Sequence, residues 1–101
     1  MKTIKIKFEY GCFPVWVYNT SGQLMDNDLP PHLMDDIELG ATFTHLQEIY
    51  DALFINDDEK FQYTGFPSAE ASVLFKNELS QAIDLLKQKA AHEYQIEIMK
   101  K

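Results

Sequence analysis

The chain has 101 residues, 46% of them hydrophobic and 25% charged, a composition that is typical of a folded domain and excludes a disordered segment. Its formal net charge of −7 and its lack of arginine exclude nucleic acid as a direct ligand, because binding phosphate depends on cationic side chains. No apolar run approaches the roughly 20 residues that a membrane-spanning helix needs, so we expect a single domain over residues 1–101 that binds no membrane.

The first 30 residues predict three strands of a meander. Apolar and charged residues alternate over residues 4–10, which is typical of a strand with one buried face and not of a signal peptide. In residues 13–18, Phe13, Val15 and Val17 are expected on one face and Trp16 and Tyr18 on the other, a mixture of β-branched and aromatic side chains that suits a sheet. Turn-forming residues at 19–22 then predict that residues 23–26 return as a third strand.

Helical patterns follow this predicted sheet segment. Pro30 and Pro31 end the strands and predict a short helix over residues 31–38. A longer helix is predicted next, because helical periodicity places the apolar side chains on one face: Phe43, Leu46, Tyr50, Leu53 and Phe54. Residues 60–66 alternate again and predict a short strand.

The most regular pattern predicts a long helix near the end of the chain. Ser68 is placed to cap it, and its apolar face is predicted to contain Ala71, Leu74, Phe75, Leu79, Ala82, Ile83, Leu86 and Ala90. Alternation over residues 94–98 predicts a last strand. The order β-β-β-α-α-β-α-β predicts an α+β two-layer sandwich, with helices packed on one face of a mainly antiparallel sheet.

No motif in the sequence specifies catalysis. The best metal candidate pairs His32 with Asp36 at helical spacing and adds His45 and Glu48, but a metal site needs three or four convergent ligands. The acidic pairs are expected to be solvated, so they lack the burial that separates the pKa values of catalytic carboxylates. We therefore predict no enzyme activity, no metal and no cofactor. Cys12 is the single cysteine, which suits a reducing cytoplasm, the expected location.

The acidic residues are unevenly distributed along the chain. Residues 8–59 contain eleven acidic residues and no basic one, whereas ordinary soluble surfaces mix the two signs. A field of one sign steers partners of opposite charge. We expect the binding surface to consist of Asp26, Asp28, Asp35, Asp36, Glu38, Glu48, Asp51, Asp57, Asp58 and Glu59. Alternative aromatic anchors at Trp16, Tyr18 and Tyr50 are instead expected in the core.

Two stretches of the chain and its long helix resemble a known class of protein. The stretches are FEYGCFPVWVYNTSGQLMDNDLP at residues 8–30 and LFINDDEKFQYTGF at residues 53–66. They resemble small bacterial immunity proteins of polymorphic toxin systems, including contact-dependent growth inhibition. The resemblance implies a cytoplasmic protein without catalytic residues that binds and blocks one toxin domain, commonly a basic nuclease.

Three functions are consistent with the sequence. The first is an immunity protein that exists as a monomer and forms a 1:1 complex with its cognate toxin domain through the acidic surface. The second is an acidic secretion chaperone or protein-interaction adaptor. The third is a small metal-dependent enzyme. An adjacent toxin gene would favour the first function, a secreted effector gene the second, and a stoichiometric bound metal the third.

Overall fold

The computed structural model describes residues 1–56 and 60–99. Each segment with a predicted strand contains one, although the first strand ends at Ile6 and does not reach residue 10, and the two longer predicted helices are present. A single 3₁₀ turn, Pro31–Leu33, lies between the third strand and the first helix. In chain order the other elements are β1 (Lys2–Ile6), β2 (Val15–Tyr18), β3 (Leu24–Asp26), α1 (Ile37–Asp51), β4 (Phe54–Asn56), β5 (Phe61–Tyr63), α2 (Ala69–Ala90) and β6 (Tyr94–Ile98).

Four strands form the main sheet in the order β3-β2-β1-β6. β1 pairs antiparallel with β2 and parallel with β6, and Ile4 lies opposite Val17 on one side and Ile96 on the other. Because alternate residues of a strand share a face, this register places the buried side chains of β1 and β2 on the same side of the sheet. The predicted α+β class with a mainly antiparallel sheet is confirmed.

The turn between β2 and β3 is built as the sequence predicts. The Asn19 side-chain oxygen accepts hydrogen bonds from the backbone amides of Ser21 (2.9 Å) and Gln23 (3.0 Å). Gly22 has a φ of 83°, a conformation that a residue with a Cβ atom adopts only with strain. The Asn and Gly therefore direct the chain back along β2.

Both helices bury their apolar faces in one continuous core with the sheet. α1 contributes Leu39, Phe43, Leu46 and Tyr50, and α2 contributes Phe75, Ala82, Ile83, Leu86 and Ala90. The predicted cap of α2 is confirmed, because the Ser68 hydroxyl accepts a hydrogen bond from the Ala71 amide at 3.1 Å. Leu74 is an exception to the predicted apolar face, since it is 61% exposed.

Two helix boundaries differ from those that the sequence predicts. The predicted helix over residues 31–38 is only the 3₁₀ turn, because Asp36 adopts an extended conformation and caps α1. α1 then ends at Asp51, although the apolar pattern continues through Leu53 and Phe54. The Leu53 carbonyl instead accepts hydrogen bonds from the backbone amide and hydroxyl of Thr64, which draws the chain out of the helix.

A separate antiparallel hairpin, β4–β5, follows α1. The sequence predicts one strand over residues 60–66, but the structure contains a shorter strand, Phe61–Tyr63, and adds β4 as its partner. Phe54 lies opposite Tyr63 in this pair. Within the described ranges, neither helix combines the length and apolar character needed to cross a membrane.

Candidate functional site

Seven of the ten carboxylates that the sequence selects lie in described parts of the chain, in three separate places. They are Asp26 at the end of β3 and Asp28 just after it, Asp35, Asp36 and Glu38 at the start of α1, and Glu48 and Asp51 near its end. The other three lie outside the described residues: Asp57, Asp58 and Glu59. Because an α-helix rises about 1.5 Å per residue, Glu38 and Glu48 are about 15 Å apart along the axis of α1. The carboxylates therefore form a dispersed acidic surface and not one compact cluster.

Asp36 has a structural role at the start of α1. Its Oδ1 atom accepts a hydrogen bond from the Leu39 amide at 3.0 Å, and its Oδ2 atom pairs with the Lys89 ammonium. The Leu39 hydrogen bond is the larger cause and Lys89 the second cause of an Asp36 pKa below its ordinary value. Lys89 thus brings a basic side chain from α2 into a segment that contains none in sequence.

Asp26 and Asp28 are exposed on either side of a structural asparagine. The Asn27 side-chain amide donates hydrogen bonds to the carbonyls of Phe13 (2.5 Å) and Val15 (2.9 Å). These bonds tie the end of β3 to the neighbouring strand, because both acceptors belong to the chain that enters β2. The two carboxylates are therefore presented from a fixed backbone.

At the other end of α1, Asp51 also has a structural role. Its Oδ1 atom accepts hydrogen bonds from the backbone amide of Gly11 (3.0 Å) and from the side-chain amide of Gln47 (2.7 Å). Gln47 donates a further hydrogen bond to the Glu9 carbonyl at 2.8 Å, so the two side chains hold the β1–β2 loop against α1. Glu48, by contrast, is exposed.

Four of the seven carboxylates are exposed and have no cationic partner within residues 1–56 and 60–99. They are Asp26, Asp28, Asp35 and Glu48. Glu38 is 69% exposed and lies 3.9 Å from the Lys89 ammonium, which is already paired with Asp36. Exposed charges without partners contribute most to the long-range field, because no neighbouring opposite charge cancels them.

Lysines occupy the open face of the sheet. The Lys5 ammonium lies 4.7 Å from the centre of the Tyr18 ring, and the Lys7 ammonium lies 5.7 Å from the Trp16 ring. A hydrogen bond from Lys7 to Glu9 and the negative charge of Glu9 raise the Lys7 pKa above its ordinary value. Lysines on this face are accompanied by carboxylates, since Lys7 pairs with Glu9 and Lys5 lies opposite Glu97 in the strand register.

Trp16, Tyr18 and Tyr50, which the sequence predicts to lie in the core, lie in two different environments. Tyr50 is buried, as predicted. Trp16 and Tyr18 are only half-buried and lie on the open face, because their neighbours Val15 and Val17 point into the core. The Trp16 indole N–H donates a hydrogen bond to the Lys7 carbonyl at 2.9 Å, which fixes the ring against the sheet.

The sequence does not reveal a second exposed surface, which surrounds the β4–β5 hairpin. Phe61 and Tyr63 are each 55% exposed, and the Phe61 ring stacks on Phe54 with centroids 5.2 Å apart. Tyr10 contacts Phe61 edge-on at 4.7 Å. A cleft of about 410 Å³ lies beside these rings. Exposed aromatic groups of this kind are typical of protein-binding surfaces, so the hairpin is a second candidate contact surface.

The histidines do not form the metal group that the sequence suggests. Asp36 pairs with Lys89 and not with His32. His45 lies 3.3 Å from Glu78 on α2 and is not associated with Glu48. His32 instead lies beside the turn that joins α2 to β6, which no sequence spacing indicates.

A family model described as Serratia CdiI immunity protein-like matches residues 2–101. No curated protein matches the chain.

Proposed function

The chain belongs to the Serratia CdiI immunity protein-like family, and from this premise we propose that it binds and neutralises one cognate toxin domain, a basic nuclease, through its acidic surface. The complex is 1:1 and forms in the cytoplasm. The chain acts by binding alone, without catalysis, and it does not contact nucleic acid itself.

The observation that carries this proposal is the set of exposed carboxylates without cationic partners at the end of β3 and along α1. A nuclease must attract phosphate groups, and it does so with a positively charged surface. Carboxylates presented from a rigid backbone compete for the same cationic side chains. The proposed contact residues are Asp26, Asp28, Asp35, Glu38 and Glu48.

Asp36 and Asp51 are assigned a different role within the same surface. Asp36 caps the start of α1 and Asp51 holds the β1–β2 loop against its last turn, so each stabilises the fold as well as contributing charge. Asp57, Asp58 and Glu59 are also proposed to contribute charge. Substitution of the exposed carboxylates is therefore the cleaner test, because it changes charge without removing a cap or a loop contact.

The test compares single charge reversals with a matched control. Asp35→Lys and Glu48→Lys change exposed residues of the acidic surface, and Asp84→Lys makes the same charge change at an exposed residue of α2. Glu78 is unsuitable as a control because it is half-buried and lies 3.3 Å from His45. Association with the candidate cognate toxin domain is measured by stopped flow over a salt series.

We expect Asp35→Lys and Glu48→Lys to slow association several-fold, up to about tenfold, at low salt and to weaken its salt dependence. Asp84→Lys should have a much smaller effect. Equal slowing by all three variants would mean that net charge alone governs the rate. Unchanged association in both acidic-surface variants would contradict the acidic interface and favour the aromatic hairpin or the face around Trp16.

A further inference from the structure

Three possible metal ligands from distant parts of the sequence meet at one edge of the molecule. His32 belongs to the 3₁₀ turn, whereas His92 and Glu93 belong to the turn between α2 and β6. Nδ1 of His32 lies 3.9 Å from one Glu93 oxygen, and Nε2 of His92 lies 3.9 Å from the other. One ligand atom from each residue can be chosen so that all three lie within 4.8 Å of one another.

The distances between these three ligand atoms are close to the distances between ligand atoms that bind one metal ion. Zinc binds imidazole nitrogen and carboxylate oxygen at about 2.0–2.2 Å, so ligand atoms around a tetrahedral ion lie roughly 3.4 Å apart. Rotation of exposed side chains supplies the remaining movement of about 1 Å, since the side chains of His92 and Glu93 are 64% and 52% exposed. No rearrangement of the backbone is needed.

The backbone on both sides of the group is already fixed. The His32 ring stacks on Tyr94, with centroids 6.0 Å apart and planes at 12°, and Tyr94 is buried. Leu33 is buried beside His32, and the Glu93 amide donates a hydrogen bond to the Ala90 carbonyl at 3.0 Å. The ligands therefore come from two anchored turns, which lowers the entropy cost of bringing them together.

Charges of both signs lie near this position, because the Lys2 ammonium lies 5.8 Å from the centre of the Tyr94 ring on which His32 stacks. Glu93 supplies a negative charge directly to the group. Lys89 precedes His92 by about one helical turn, but its ammonium pairs with Asp36 at the start of α1. The positive charge closest in sequence is thus engaged by another carboxylate.

Although the sequence alone predicts no metal, we propose that His32, His92 and Glu93 bind one divalent transition ion of the zinc class, which has a structural and not a catalytic role. Two imidazoles and one carboxylate are donors that suit Zn²⁺ and leave a fourth coordination position for water. The ion links the 3₁₀ turn to the α2–β6 turn and so joins segments about 60 residues apart. Because the three ligands meet only in the folded chain, zinc binding raises the melting temperature.

The experiment uses the full chain without a histidine tag, treated with chelator and then dialysed. Zinc chloride is titrated by isothermal calorimetry, and thermal melting is followed with and without zinc. His92→Ala and Glu93→Gln remove exposed ligands, and His45→Ala is the control because it removes an exposed histidine near Glu78. Circular dichroism verifies that each variant is folded.

The parent chain and His45→Ala should bind one zinc ion and melt at a higher temperature in its presence. His92→Ala and Glu93→Gln should each bind at least about tenfold more weakly, since loss of even an outer-shell partner commonly costs 10–100-fold in metal affinity. Absence of saturable binding in the parent would overturn the site. Unchanged affinity in either ligand variant, or loss of binding in His45→Ala, would also overturn it.

Discussion

Leu86 provides the sharpest test of the core, because its side chain is completely buried between α2 and the sheet. Leu86→Ala removes three carbon atoms, and at about 0.8 kcal/mol for each buried methylene the lost transfer free energy is about 2.4 kcal/mol. The cavity left in a packed interior adds to this loss, so the free energy of unfolding should fall by about 3–5 kcal/mol. Urea unfolding followed by circular dichroism measures the change.

Leu74→Ala is the matched control on the same helix, since Leu74 is 61% exposed. The control should change the free energy of unfolding by less than about 0.5 kcal/mol. Leu79 is partly buried against the core, so its replacement by alanine should have an intermediate effect. Similar losses at Leu86 and Leu74, with unchanged denaturant slopes, would refute the orientation of α2.

Two further predictions concern the helix caps. Ser68→Ala should lower the free energy of unfolding by about 1 kcal/mol, because the Ala71 amide loses its hydrogen-bond acceptor. Ser80→Ala, on the exposed side of α2, is the control for the same substitution. The Asp36 pKa is lowered in the folded chain, so its carboxylate stabilises the fold above its unfolded pKa of about 3.9 and loses this effect as the pH falls through the folded value. The difference in unfolding free energy between the parent and Asp36→Asn should therefore become smaller at acidic pH. A difference that does not depend on pH would contradict this role of the Asp36 carboxylate.

Local patterns predict the elements whose structure depends on nearby residues. The strands β1 and β2 are predicted because their successive side chains alternate between a buried and an open face of the sheet. α2 follows from the Ser68 cap and a long apolar stripe. The turn at Asn19 follows from a side chain that hydrogen-bonds its own backbone neighbours.

The features that the sequence does not reveal depend on distant residues. The end of α1 carries no glycine or proline signal, and the hydrogen bonds from Thr64 to Leu53 decide where the chain leaves the helix. Lys89 reaches Asp36 across 53 positions, which no charge count along the chain anticipates. The aromatic hairpin is missed for the same reason, because Phe54 fits the helical period and pairs only in the folded structure.

The acidic surface is therefore predicted in composition but not in arrangement. The sequence identifies a segment without basic residues, and the structure shows exposed carboxylates there at Asp26, Asp28, Asp35 and Glu48. The sequence does not reveal that Asp36 caps the start of α1, nor that Asp51 holds the β1–β2 loop against its last turn. Such roles depend on which backbone amides approach each carboxylate after folding.

A growth experiment tests most directly whether the chain neutralises a toxin. The candidate cognate toxin domain is induced in cells that carry this chain, an unrelated immunity protein or an empty vector, and viable cells are counted. We predict survival only with this chain, together with a 1:1 complex of chain and toxin domain in size-exclusion chromatography with light scattering. Equal killing in all three strains, with no complex between the purified proteins, would contradict the proposed function.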